Sequence, residues 1–413
     1  MASWRETVGS NDWKNLLQPL DLNVLKLILR SGDFCQATYD SFNNEKSSPY
    51  CGSCKYGKAR LFDNVMLEDA ANYEVAFLIF FFLLHLRVPT TSFTQVVSYL
   101  YATALVSLPE AFLLHSLSRD SWDRESNWFG YIAVTSDAYS TAIGRREIYV
   151  ALRGTTRNYE WIDVGGADQV SASKLLAAGG DSTSDVKVMR GWLSIYTSRN
   201  EKSQFTKLSL REQLVKKIDE VRKKYRGEDM SIVFCGHSLG ASISILASFD
   251  VVENGVRDIP VAAVVFGCPG VGNKEFNRRY YGYPNLKALH VRNTIDLIPR
   301  YPGSILGYER TGIELVIDTR KSPHLKDSKN PSDWHNLQAM LHVAAGWNGK
   351  DGAFKLRVER CVALVNKSCE FLKDEEMVPG SWWVEKNKGL LRNPDGKWVS
   401  APPGEDDVPV PEF

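Results

Sequence analysis

A Gly-His-Ser-Leu-Gly run at residues 236–240 carries the densest chemical signal in the sequence. It stands between an apolar stretch, MSIVFCG, and a run of small and apolar residues, ASISILASF. G-x-S-x-G arises by chance in many chains; a strand before it and a helix after it give it meaning. In that setting the serine sits on a turn too tight for a Cβ at either flanking position, and its hydroxyl stands above the sheet edge. The following helix points its positive end at the same spot, where Leu239 N–H can donate to an oxyanion. The chemistry implied is nucleophilic attack on an acyl carbonyl by Ser238.

Such a hydroxyl needs a base, and the base an orienting acid. In this arrangement the chain order is Ser, then Asp or Glu, then His. Asp296, in LHVRNTIDLIPRYP, lies just past an apolar strand and is the candidate acid; a helix cap is its competing role. Five histidines compete for the base. His237 adjoins the serine and cannot easily turn its ring onto the same hydroxyl. His290 falls inside a strand, and His324 lies in a loop without supporting pattern. In SDWHNLQAMLHVAAGW, His335 sits at the mouth of a helix and His342 two turns inside it. An imidazole that must face two partners belongs at a loop or helix mouth, so His335 is preferred. A second oxyanion donor belongs on a loop after an earlier strand. YVALRGTT supplies Gly154 for the turn and Thr155 for the N–H. An amphipathic piece with Tyr159, Trp161 and Ile162 follows, suited to cover the site or simply to be a surface helix.

The elements that must position these groups follow from hydrophobic spacing. Residues 1 to about 115 read as mainly helical, with 23–42 amphipathic at helical period. FGYIAVTS (129–136) and REIYVALRG (146–154) read as a β-hairpin. Residues 209–227 form a strong helix, with Leu214, Ile218, Val221 and Tyr225 as its stripe and Gly227 as its stop. Strands are expected at MSIVFCG, VAAVVFG and LKALHVRN, separated by helices. That alternation predicts an α/β fold with a mostly parallel central sheet flanked by helices and a helical N-terminal region packed on it. The expected division is 1–115 helical, 116–350 catalytic core and 351–413 a C-terminal extension with a loosely ordered tail.

Bulk properties limit the alternatives. The 413 residues carry 50 basic and 49 acidic side chains, a net charge of +1, which argues against a nucleic-acid binder. Seven cysteines, thinly spread, are no disulfide framework. Cys51 and Cys54 form a lone CxxC without a second ligand pair and read as a local loop. Cys235 and Cys268 read as buried thiols. The first residues lack an apolar or Arg/Ser-rich leader, so the cytosol is the expected compartment. The run VAFLIFFFLLHLRVP, 75–89, has an apolar core of about ten residues, half of what a bilayer span needs. It reads as a buried element or as a piece that docks on a membrane surface.

RGT with EW shortly after, GHSLGA, VVFGCPGVGNKEF, HVRNTIDLIPRYP and DWHNLQAMLH together resemble the plant class II phospholipase A1 family, fungal-type class 3 lipases of the α/β-hydrolase fold. The likeness runs from NDWKNLLQPLD near the start to NKSCEFLKDEEMVPGSWWVEKNKGL near the end. It implies a cytosolic acylhydrolase that cleaves the sn-1 ester of phospholipids at a membrane surface, in some members also galactolipids or neutral glycerides. By motif it assigns Ser238 as nucleophile, Asp296 as acid, His335 as base, Thr155 to the oxyanion hole and the residues after it to a lid. It implies no metal or other cofactor. An insertion of roughly residues 76–94 interrupts the family's pattern; a lipid-facing loop and translated intron are both consistent with it, the second slightly favoured. The rival readings are a neutral-glyceride lipase, a galactolipase or a general carboxylesterase on the same fold, and a catalytically silent lipase-like signalling module.

Overall fold

The computed structural model describes residues 2–45, 48, 50–65, 67, 94–104, 126–155, 167–177, 185–203, 205–383, 390–392 and 394–400. The apolar run at 75–89, nearly all of the proposed insertion, the amphipathic piece with Tyr159, Trp161 and Ile162, and the end of the tail lie outside these residues. Among the described residues, no helix is long and apolar enough to cross a membrane.

The helices are α1 (Trp4–Thr7), α2 (Leu22–Asp40), α3 (Leu61–Asn64), α4 (Asp137–Ile143), α5 (Arg190–Thr197), α6 (Leu210–Lys224), α7 (Leu239–Glu253), α8 (Lys274–Tyr281), α9 (Pro331–Trp334) and α10 (Leu337–Ala345). Among the described residues the strands are β1 (Thr94–Ala102), β2 (Asn127–Thr135), β3 (Arg146–Leu152), β4 (Gln169–Ser171), β5 (Lys187–Met189), β6 (Met230–His237), β7 (Val261–Phe266), β8 (Leu286–Asn293), β9 (Ile313–Ile317), β10 (Leu390–Arg392) and β11 (Trp398–Ser400). Seven strands form one sheet in the order β1-β2-β3-β6-β7-β8-β9. β1, β2 and β3 pair antiparallel, and every pairing from β3 to β9 is parallel. The mostly parallel α/β sheet expected from the spacing is therefore the one observed.

Both faces of the sheet are covered, and residue alternation says how. In β6, Ile232 and Phe234 enter one core with Ile243, Leu246 and Phe249 of α7, beside Leu214 and Ile218 of α6. Val233 and Cys235 face the opposite way, into a second core with Val24, Ile28 and Phe34 of α2 and Leu341 and Val343 of α10. Side chains that alternate with period two but are apolar on both sides make a continuous hydrophobic run, which is why MSIVFCG reads as an apolar strand.

Three expectations change in detail. The segment expected to be mainly helical also carries β1, an edge strand of the central sheet. β2 and β3 are antiparallel neighbours, but α4 joins them in place of a tight hairpin turn, with Ser136 as its N-cap and Gly144 in the left-handed conformation at its end. Helix α2 is buried around most of its circumference, because the sheet lies on one side and α10 with the C-terminal extension on the other. Buried ion pairs fix that extension to α2: Asp33 to Arg360 at 2.7 Å and Asp40 to Lys367 at 2.6 Å. Helix α6 runs as the sequence reads, with Ser209 and Glu212 closing a reciprocal capping box at its start.

Candidate active site

The site is built on the C-terminal ends of the parallel strands. Ser238 follows β6 directly and is the N-cap of α7, with φ 58° and ψ −127°. A left-handed φ costs a non-glycine residue roughly 1–3 kcal/mol, and such strain persists only where the surroundings over-determine it. Here two glycines make room for it. A Cβ at Gly236 would lie 2.2 Å from the carbonyl oxygen of Gly240, and one at Gly240 would lie 2.2 Å from that of Leu152. The elbow is tight at both flanking positions, as its sequence implies. Leu239 is the first residue of α7. The first turn of a helix leaves its N–H groups without intrahelical acceptors and adds the positive end of the helix dipole.

Asp296 lies beyond the end of β8 and His335 in the short joint between α9 and α10. Thirty-nine residues apart in sequence, they meet at 2.6 Å between His335 Nδ1 and Asp296 Oδ2. The other carboxylate oxygen, Oδ1, accepts from the backbone N–H of Ile298 at 2.9 Å. The acid is thus held at both oxygens and buried. With Nδ1 committed to Asp296, the free face of the imidazole is Nε2. Neither His335 Nε2 nor Ser238 Oγ has a hydrogen-bond partner among the described residues. Both residues line one cavity of about 370 Å³, together with Thr155 and His237. The candidate serine, acid, base and Thr155 are therefore brought to a single place.

The other histidines are occupied elsewhere. His290 Nε2 accepts from Cys268 N–H at 2.9 Å, and burial pushes its imidazole down to about 4. His342 pairs with Ser322 Oγ at 2.8 Å and is pushed down to about 3 by burial. His324 Nδ1 lies 2.7 Å from Glu376.

His237 has a role the sequence did not reveal. Its Nδ1 accepts from the Tyr39 hydroxyl at 2.8 Å, and its Nε2 donates to the backbone carbonyl of His335 at 2.9 Å. Burial holds it well below the usual histidine range, in keeping with a neutral ring with one donor and one acceptor. Helix α2, through Tyr39, thereby fixes the backbone that carries His335. Gly267, just past β7, was also missed. A Cβ there would lie 2.7 Å from His335 Cε1 and 3.2 Å from Asp296 Oδ2, so the imidazole lies against bare backbone. Only its place in VVFGCPG hinted at it; nothing in spacing linked it to His335.

Cys51 and Cys54 are buried in the second core, and Cys54 makes a backbone bridge to Phe42. Cys235 and Cys268 are also buried, as the sequence suggests. Among the described residues, no group of three or more His, Cys, Asp or Glu side chains could hold a metal ion.

The description of the class 3 lipase family matches residues 149–305, a span that includes Thr155, Ser238 and Asp296 and ends before His335. A protein named phospholipase A1-IIdelta from Arabidopsis thaliana is 60% identical, with 100% of this chain and 99% of that protein covered. One named phospholipase A1-II 5 from Oryza sativa subsp. indica is 47% identical over 99% of this chain and 84% of its own length. A solved triacylglycerol lipase from Penicillium expansum aligns at a TM-score of 0.37 and 16% identity, covering 55% of this chain and 70% of that one. The near-complete coverage at these identities shows that the chain belongs to the phospholipase A1-II family of class 3 lipases.

Proposed function

We propose that this chain hydrolyses the sn-1 ester of glycerophospholipids, at a membrane surface it meets transiently, through an acyl-enzyme on Ser238. Ser238 Oγ attacks the acyl carbonyl while His335 Nε2 takes its proton, and Asp296 holds the resulting imidazolium in place. The amide N–H groups of Thr155 and Leu239 receive the oxyanion. Collapse of the tetrahedral intermediate passes the proton from His335 to the departing lysolipid oxygen. Water, activated by the same imidazole, then releases the fatty acid and restores Ser238. No step calls for a metal or other cofactor.

The observation that carries this reading is the convergence of a strained serine and a carboxylate-bound imidazole on one cavity, with Oγ and Nε2 both without a hydrogen-bond partner among the described residues. The relatives' names support the substrate class. The rest of the cavity lining mixes polar side chains such as Gln36, Asn44 and Lys55 with apolar ones such as Phe42, Leu337 and Trp383, as an amphiphilic substrate requires. We place the activity in the cytosol, the compartment that thinly spread cysteines favour.

Replacing Ser238 with Ala should leave the thermal midpoint unchanged or higher and lower kcat by at least about 10³-fold. A phospholipid with distinguishable sn-1 and sn-2 chains should release the sn-1 acid. Activity retained by S238A would refute the mechanism. Faster turnover of triacylglycerol than of phosphatidylcholine would reassign the substrate.

A further inference from the structure

Six cationic side chains are buried among the described residues: Arg30, Arg145, Arg146, Arg153, Arg360 and Lys367. Five of them lie on carboxylates, on Glu147, Asp137, Glu228, Asp33 or Asp40. Arg153 is the exception. It is 1% exposed, and no described carboxylate lies within ion-pair distance of it. Its Nε donates to the carbonyl of Trp128 at 3.3 Å and its Nη1 to that of Gly154 at 2.8 Å, while Nη2 has no partner among the described residues. Its plane lies over Phe42, 3.8 Å from the ring centroid. Burial pushes the guanidinium down to about 10, which still leaves it charged at neutral pH. A buried, uncompensated charge is costly, and an aliphatic side chain would fill the same space without that cost.

We propose that Arg153 is a positioning residue for the oxyanion hole, a fixed positive charge whose counter-ion is the anion formed in the transition state. The proposal rests on the assignment of Thr155 N–H to that hole. The Gly154 carbonyl and the Thr155 N–H belong to one peptide unit, and in a trans peptide they point in opposite directions. The guanidinium therefore grips the far side of the unit whose N–H is offered to the oxyanion. Donation to the carbonyl oxygen draws electron density along the amide and makes its N–H a stronger donor. In the ground state the guanidinium meets two neutral carbonyls and the face of Phe42, and no carboxylate among the described residues. When the oxyanion forms on the substrate, the guanidinium gains an opposite charge on the far side of the Gly154–Thr155 peptide. An interaction stronger in the transition state than before it raises kcat and leaves KM alone.

The test uses the full chain, a short-chain soluble p-nitrophenyl ester, and a straight-chain alkylboronic acid whose adduct with Ser238 is a tetrahedral anion. Arg153→Met should lower kcat by about tenfold or more, a fraction of what losing a whole oxyanion donor costs. KM should stay within about twofold, and boronic-acid affinity should fall in parallel with kcat. The thermal midpoint should be no lower than in the parent, and Arg153→Lys, which keeps charge and donor, should restore most of the kcat. Should Arg153→Met fail to fold, Arg153→Gln is read in the same way. Unchanged kcat, a kcat loss without loss of boronic-acid affinity, or a loss that follows a lowered thermal midpoint would overturn the proposal. S238A separates the two readings. If it retains turnover, the serine mechanism itself fails. If it is inert while Arg153→Met behaves as the parent, only the role of Arg153 is lost.

Discussion

At the residue scale, the site depends on where side chains are absent as much as on where they are present. Gly267 has φ 54°, and His335 lies against its bare Cα side. Gly267→Ala would add roughly 1–2 kcal/mol of backbone strain and drive a methyl group into the His335 imidazole. Misplacement of a catalytic group by about 1 Å costs on the order of 10² in rate. A kcat about a hundredfold lower, with the protein still folded by circular dichroism, is the expected outcome; a kcat within twofold of the parent would show that the ring has room to yield. Ser238, Asp296 and His335 were legible in the sequence because each sits in a local pattern: a Gly-flanked elbow, a carboxylate past a strand, a histidine at a helix mouth. Tyr39, Gly267 and the carbonyl-binding role of His237 were not. Their function depends on contacts across 198, 68 and 98 positions of chain, which no periodicity records.

At the element scale, helix α2 is the member through which the second core and the C-terminal extension hold the site. It supplies Tyr39 to His237 and is bound to the extension by the Asp33–Arg360 and Asp40–Lys367 pairs. Arg360 also donates to Gln338 of α10 at 2.8 Å, so it connects three elements. Removing one partner of a buried pair leaves an uncompensated charge and costs about 3–5 kcal/mol. Arg360→Met should therefore lower the urea-unfolding free energy by an amount in that range, and Asp33→Asn in the same chain should recover part of it. A loss below about 1 kcal/mol would mean that water reaches Asp33. Helix α6 could be read from its single amphipathic stripe, and the strands β6, β7 and β8 from short apolar runs that leave both faces buried. The environment of α2 could not, because a helix buried on two sides blurs the amphipathic stripe that marks its position.

At the scale of the whole molecule, buried neutral histidines set a pH dependence. His237, His290 and His342 are held below the usual histidine range by burial, His290 at about 4 and His342 at about 3. The unfolded chain takes up protons at these positions near pH 6.5, and the folded chain does so only at lower pH. Stability from these groups is therefore complete above about pH 6.5 and is lost as pH falls below it. Each can contribute up to about 1.4 kcal/mol per pH unit in that window. Asp40 and Asp250, whose carboxyls burial raises, act in the opposite sense once acid begins to protonate them. A thermal midpoint that falls from pH 7 to pH 5 is expected, and His342→Gln should reduce the steepness by about a third. A flat or rising midpoint over that range would show that the unfolded chain gains no protons there.

The sequence by itself determined the fold class, the strand–elbow–helix unit and the identity and order of the candidate serine, acid and base. These follow from local signals: side-chain period, glycines at a turn, and residue types within a few positions of an element's end. The tertiary structure alone decided which strands lie side by side, that β1 completes the sheet, and that α2 and the C-terminal extension line the same cavity as His335. It also decided that Arg153 meets no carboxylate among the described residues, while each of its five buried counterparts meets at least one. The physical reason is that burial and charge pairing are properties of neighbours in space. A sequence states which groups are present, and only packing states which are left facing one another.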